Sequence, residues 1–200
     1  MTDPIVRTDA FCRRFGLGLP ILLAPMAGSC PPGLAIAVGN AGGLGAAGAL
    51  TLTPDGIVAW AAAVRAGTNG AFQINLWIPD PPPMRDPAHE AVVRTFLADW
   101  GPAVDAAAGD AVPIDFADQC DALLDAAPPV ASSIMGLFPP EFVTRLKSRG
   151  IAWFATVTTV AEARMAEAAG ADAVVAQGME AGGHRGRFDA AAAEADQVGL

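Results

Sequence analysis

Three stretches of this chain place polar or conformationally free residues directly after short apolar runs, the position from which an α/β protein presents groups to a ligand. The first is Ala24-Pro25-Met26-Ala27-Gly28, whose backbone can lie flat against a planar ring. The second carries Gln73 and Asn75, two residues apart and therefore on one face of an extended strand. The third runs from Gln177 and Gly178 through Gly182 and Gly183 to His184. Glycines there permit unusual backbone angles and close approach to a ligand, and a histidine moves protons near neutral pH.

Amide side chains donate and accept at once, so Gln73, Asn75 and Gln177 match a ligand edge that alternates N–H and C=O, as a flavin's does. Each has a structural alternative. Gln73 and Asn75 could be satisfied inside a barrel by backbone or water, Gln177 could simply begin a turn, and His184 could be a surface residue of a glycine loop. Their convergence at successive strand ends favours ligand binding. His184, after a strand on that same face, is then the candidate general base. His89 lies in a polar insertion and reads as a surface residue.

Six apolar runs must position these groups: Pro20 to Pro25, Leu44 to Gly48, Ala71 to Leu76, Val130 to Met135, Ile151 to Ala155 and Ala173 to Ala176. They lack strict alternation, as strands of a parallel sheet covered on both faces do. Helix signatures lie between them. Thr53 precedes Pro54 with Gly67 at the far end, Pro140 to Arg149 is closed by Gly150, and Thr159 and Glu162 have capping-box spacing before a helix closed by Gly170. The βα alternation predicts right-handed crossovers and a parallel sheet within one domain over residues 1–200. The rhythm breaks after the third run, where Trp77 to Asp86 is proline-rich and an acidic amphipathic stretch continues to about Trp100. A lid-like insertion at about 77–115 is expected, forming a lid or pocket wall, with a solvated spacer as the alternative.

A net charge of −9 without a basic stripe argues against nucleic acid or an acidic membrane surface as partner, leaving a small molecule. Cys12, Cys30 and Cys120 are widely separated and lack metal-ligand spacing, so neither a disulfide framework nor a metal site is expected, and a reducing cytoplasm is the default location. The acidic N-terminus is wrong for a secretory signal, and glycine or proline interrupts every apolar segment before it could span a bilayer. Gly39 to Gly45 is glycine-rich, but it precedes the second apolar run instead of following the first, which is the wrong place for a dinucleotide fingerprint. There is no Gly-x-Ser-x-Gly elbow for a hydrolase.

Taken together, Leu23 to Gly28, Gly42 to Gly48, Phe72 to Trp77 and Gln177 to His184 resemble, in this order, the nitronate monooxygenases, formerly called 2-nitropropane dioxygenases. The last motif is the most specific, whereas related flavin-dependent enoyl reductases share the first. The resemblance implies an α/β fold of the TIM (β/α)8 barrel type, noncovalently bound FMN, and oxidation of alkyl nitronates by O2 to carbonyl compounds and nitrite. It implies that Ala24, Pro25 and Met26 line the isoalloxazine, that Asn75 and Gln177 hydrogen-bond FMN, and that the Gly182–Gly183 backbone borders it. His184 would be the catalytic base that takes the α-proton of a neutral nitroalkane, a step a preformed nitronate does not need. A full barrel has eight βα units in about 250 residues. About six are expected here, and the tail from Phe188 to Leu200 offers neither a further strand nor a glycine phosphate loop. The chain is therefore expected to be the N-terminal portion of a barrel, incomplete on its C-terminal side. An FMN-dependent enoyl-thioester reductase and an inactive barrel fragment are the alternatives.

Overall fold

A computed structural model of the chain describes residues 3–81, 84–192, 194 and 199. Five parallel strands, β1 (Gly45–Gly48), β2 (Phe72–Trp77), β3 (Val130–Ile134), β4 (Ala152–Val157) and β5 (Ala173–Ala176), lie side by side in sequence order. Helices α1 (Pro4–Phe15) and α2 (Pro32–Asn40) precede β1. The crossovers are α3 (Pro54–Gly67), then α4 (Pro87–Ala98) with α5 (Phe116–Ala126), then α6 (Pro140–Ser148), then α7 (Val160–Ala168). A sheet in sequential parallel order with helical crossovers is the α/β pattern of a TIM (β/α)8 barrel-type fold. The helix starts follow the capping chemistry: Thr53 accepts from the Gly56 N–H at 3.2 Å, and Thr159 accepts from the Glu162 N–H at 3.2 Å.

The expected first strand takes a different form. Residues 20–25 run beside β1 but hold only an isolated parallel bridge, Leu22 with Leu44, followed by a second between Ala27 and Gly48. The Leu23 N–H donates to the Leu44 carbonyl and the Leu44 N–H to the Ile21 carbonyl, each at 2.9 Å. Pro20 and Pro25 bring no N–H to a ladder, so the pairing stays interrupted and five regular strands remain among the described residues.

Alternate residues send the sheet's two faces to different cores. Phe72, Ile74 and Leu76 of β2 join Trp153, Ile57, Val64 and Leu123 beneath the helices. On the opposite face Leu44, Val130 and Phe154 pack with Leu17, and Phe11 and Phe15 of α1 cover them. Each fully buried side chain of this size contributes about 1.5–3 kcal/mol, so α1 closes the inner face near the strand starts by apolar burial. Register aligns Asn75, Ser132 and Phe154 across β2, β3 and β4, which puts Asn75 and Ser132 on the same inner face as Phe154. The small residues of β1 admit neighbours on both sides. A Cβ on Gly45 would stand 2.8 Å from the Ala35 carbonyl of α2, and one on Gly48 would stand 2.5 Å from the Ala27 nitrogen.

The chain divides into two compact units, one containing the sheet and one spanning Pro79–Ile114. Within the second, Arg85 meets both oxygens of Glu90 at 2.5 and 2.7 Å and Asp110 at 2.9 Å, and its guanidinium also reaches the Gly109 carbonyl. Pro82 and Pro83 of the proline-rich stretch, and residues 193, 195–198 and 200 of the tail expected to lack a strand and a phosphate loop, lie outside the described residues.

Candidate active site

The C-terminal ends of the strands bring the three sequence stretches to one edge of the sheet. At β1 the bridge between Gly48 and Ala27 docks the first motif. Ala24 and Met26 are exposed and Pro25 is half-buried. This turn is held by Cys30, whose thiol donates to the Ala24 carbonyl and accepts from the Met26 N–H, both at 3.4 Å. The Cys30 carbonyl in turn receives the Trp60 indole N–H at 2.9 Å. Gln73 donates to the Leu23 carbonyl at 3.2 Å, so its amide ties the same segment to the inner face of β2.

Asn75 is 2 % exposed and donates to the Ser132 hydroxyl at 3.0 Å, leaving its carbonyl oxygen as the acceptor. At the end of β3 the chain enters an uncommon conformation: Met135 has φ of +67°, rarely adopted by a side chain of its size. Just before it, Ile134 accepts the Ile78 N–H at 3.0 Å, joining the ends of β2 and β3.

Beyond β5 the Gln177 N–H still donates to Val157 at 2.9 Å, and then the chain turns. The Gln177 amide organises that turn: its nitrogen donates to the His184 carbonyl at 2.8 Å and its oxygen accepts from the Gly186 N–H at 2.6 Å. One N–H and one lone pair of the amide remain for a ligand. A Cβ on Gly182 or Gly183 would meet nothing within 4 Å, and Gly183 takes φ of +82°, so the loop before His184 is open as well as left-handed. His184 is exposed, and its ring stands edge-on to Trp77 with centroids 4.9 Å apart and planes at 75°. Gly186 sits over Ile134, where a Cβ would come within 2.8 Å of the side chain.

Sequence reasoning found the motifs and missed what braces them. Trp77 read as the end of a motif and the start of an insertion, Cys30 as an isolated thiol and Glu162 as a helix cap. Ser132 carried a usable signal, being polar inside an apolar run; the Met135 backbone angle carried none. Cys120, the other buried thiol, is pushed up to about 12 by burial and supplies no thiolate at neutral pH. Among the described residues no group of three His, Cys, Asp or Glu could hold a metal ion, and no helix is long and apolar enough to cross a membrane.

A cleft of about 560 Å³ opens at the other end of the strands, bordered by Arg14, Phe15, Lys147 and Asp172. The candidate residues lie at the opposite end, where the loops at strand C-termini carry the reactive groups in barrel folds.

A barrel-type parallel sheet with amide, glycine and histidine groups gathered at its strand C-termini is an arrangement of the α/β class, in which that end of the strands faces ligands. The sequence matches the nitronate monooxygenase family over residues 13–200, and the chain belongs to that family. It is 39% identical over 180 residues to the nitronate monooxygenase of Paraburkholderia phytofirmans, covering 87% of this chain and 49% of that protein. Against the nitronate monooxygenase of Pseudomonas aeruginosa it is 38% identical over 189 residues, covering 91% and 53%. The solved structure of nitroalkane oxidase from Streptomyces ansochromogenes superposes with a TM-score of 0.81 at 37% identity, covering 96% of this chain and 55% of that one. The chain thus spans about half the length of the curated relatives it matches.

Proposed function

We propose that this chain carries the flavin-facing and proton-transferring part of an FMN-dependent enzyme that oxidises alkyl nitronates with O2 to carbonyl compounds and nitrite. The observation that carries this reading is the loop after β5, which holds His184 edge-on to Trp77 at the very edge where the first motif and Asn75 emerge. The residues present fit the ring of FMN. Ala24, Pro25 and Met26 offer an exposed turn for its face, Asn75 an oriented amide oxygen, Gln177 its remaining amide capacity, and Gly182 and Gly183 open space beside them. When bound, FMN supplies the electron acceptor for the substrate and the donor to O2.

The chain's own groups do the rest. His184 takes the α-proton of a neutral nitroalkane, and the Trp77 ring limits the tilt of the imidazole while it does so. Ser132, by engaging the Asn75 nitrogen, leaves the Asn75 oxygen as the group that would accept from an N–H of the flavin. A nitronate arrives already deprotonated and needs only binding and orientation. The Pro79–Ile114 unit leaves the chain directly after β2, and on that ground we assign it a part in substrate access.

The test is a purified chain loaded with FMN and offered nitronate, nitroalkane, or an enoyl thioester with a nicotinamide cofactor. Yellow stoichiometric flavin and O2 uptake on the nitronate are expected. Nicotinamide oxidation driven by the enoyl thioester, with nitronate inert, would assign the site to the reductases instead. Failure to retain flavin would leave a barrel fragment without this activity.

A further inference from the structure

We propose that Glu162 is a positioning residue whose carboxylate latches the loop that presents His184. The inference rests on the proton-transfer role given to His184 above. At capping-box spacing, a glutamate is expected to return its carboxylate to the N–H of the cap residue Thr159. It does something else here. Oε2 accepts the N–H of Thr158 at 2.7 Å and the hydroxyl of Thr158 at 2.9 Å, one residue before the cap. Oε1 reaches across to the loop after β5, accepting the Phe188 N–H at 3.0 Å and standing 3.5 Å from Nε of Arg187.

The burial of Glu162 separates a latch from a cap. The residue is only 5 % exposed. A carboxylate taken out of water is costly unless several donors meet it, and a helix cap works as well at the surface. Half of this carboxylate's bonding is spent on a segment 26 residues away. Such an arrangement does little for α7 that a surface glutamate could not do, and a great deal for the loop.

The loop needs that second anchor. On its leading side Gly182 and Gly183 have no side chains, and a Cβ at either would touch nothing, so they cannot hold the histidine. Gln177 fixes the His184 carbonyl and the Gly186 N–H, and Glu162 fixes the Phe188 N–H and pairs with Arg187. With the backbone clamped from both flanks, the imidazole keeps its edge-on contact to Trp77. Without the Glu162 carboxylate the segment from 184 to 188 would lose its bond at the Phe188 N–H and its pairing at Arg187. Displacements of about 1 Å can cost on the order of 10²-fold in an oriented reaction, and loss of outer-sphere partners typically costs about 10–100-fold.

Glu162→Gln tests this, since it keeps the size of the side chain but replaces one acceptor oxygen with an NH2 that faces other donors. Two readouts are taken on the 200-residue chain. The first, amide hydrogen exchange at Gly186 and Phe188, needs no cofactor: exchange about 10-fold or more faster than in the parent is expected. The second is steady-state kinetics of the flavin-loaded chain: kcat on a neutral nitroalkane should fall about 10–100-fold, with KM, flavin content and turnover of the preformed nitronate changed less than about 3-fold. Unchanged exchange at both amides would overturn the latch. Faster exchange with unchanged kcat on the neutral substrate would overturn its positioning role. If the parent chain oxidises no nitronate, the functional reading falls while the exchange measurement still decides the latch. Should Glu162→Gln fail to fold, Arg187→Gln, which leaves three donors on the carboxylate, must shift exchange in the same direction by a smaller factor; no shift there also overturns the proposal.

Discussion

Asp172 stands just before β5 and Gln177 just after it, and the chemistry around these two positions differs in kind. Before the strand, Asp172 accepts Arg14 of α1 on Oδ1 at 2.6 Å, while its Oδ2 accepts the Trp153 N–H at 2.8 Å and the Lys147 ammonium of α6. Burial pushes this carboxyl up, but donation from Lys147, from the Trp153 N–H and from Arg14 outweighs it and holds the group below the usual carboxylate range. Beyond the strand, the Gln177 amide and one oxygen of Glu162 hold the loop after β5, which leaves an imidazole exposed. One end ties two helices to the sheet. The other holds backbone so that a side chain stays available. The cleft at the first end teaches that room for a ligand and groups to act on it are separate properties.

The comparison breaks first, and hardest, at His184. His184→Asn should retain FMN yet lose roughly 10²–10⁴-fold in flavin reduction by a neutral nitroalkane, the usual contribution of a general base. Preformed nitronate should suffer far less. Stopped-flow reduction with both substrate forms decides it: equal losses would give the residue a binding role, and no loss would make it a surface histidine.

At the other end Asp172→Asn should leave kcat alone and destabilise the fold. We expect about 1–2 kcal/mol at pH 7, a modest figure because Arg14 and Lys147 are themselves largely exposed. The sign with pH follows from the depressed carboxyl. Its stabilisation is full above the unfolded value of about 3.9 and is lost as pH falls through the lower folded value. Urea unfolding of parent and variant should therefore diverge at neutral pH and converge in strong acid; a gap that persists there would mean the loss is steric.

Trp77→Leu sharpens the contrast within the active end. An edge-on aromatic contact is worth about 0.5–1.5 kcal/mol, so turnover of the neutral substrate should fall about 2- to 10-fold. A loss as large as that of His184→Asn would give Trp77 a direct part in binding the ring. The smallest effect concerns the Pro79–Ile114 unit. Shortening it should move KM for nitronates by a few-fold and leave flavin content unchanged. KM values that stay constant across nitronates of several sizes would remove the unit from substrate access.

Much of this was readable in advance for particular reasons. Val130–Ile134 and Ala173–Ala176 are apolar runs bounded by turn residues, and Thr53 and Thr159 cap helices at the expected spacing, because those signals depend on near neighbours in the chain. Residues 20–25 misled for the opposite reason: their composition suits a strand, but pairing needs N–H groups facing a partner and the flanking prolines have none. The candidate site was legible as residue types and only partly as arrangement. Gln73 looked like a ligand-facing amide, and its nitrogen is spent on the Leu23 carbonyl.

The alternation of strands and helices, the family, and the positions of the first motif, Asn75, Gln177 and His184 along the chain all follow from local sequence. Periodicity, capping and glycine placement act over a few residues, so they can be read from a string. The tertiary structure alone decided which groups meet: Asn75 with Ser132, Cys30 with the turn at Ala24 and Met26, His184 with Trp77, and Glu162 with Phe188. Those contacts depend on strand register and on where each crossover returns the chain, quantities set by packing of the whole sheet.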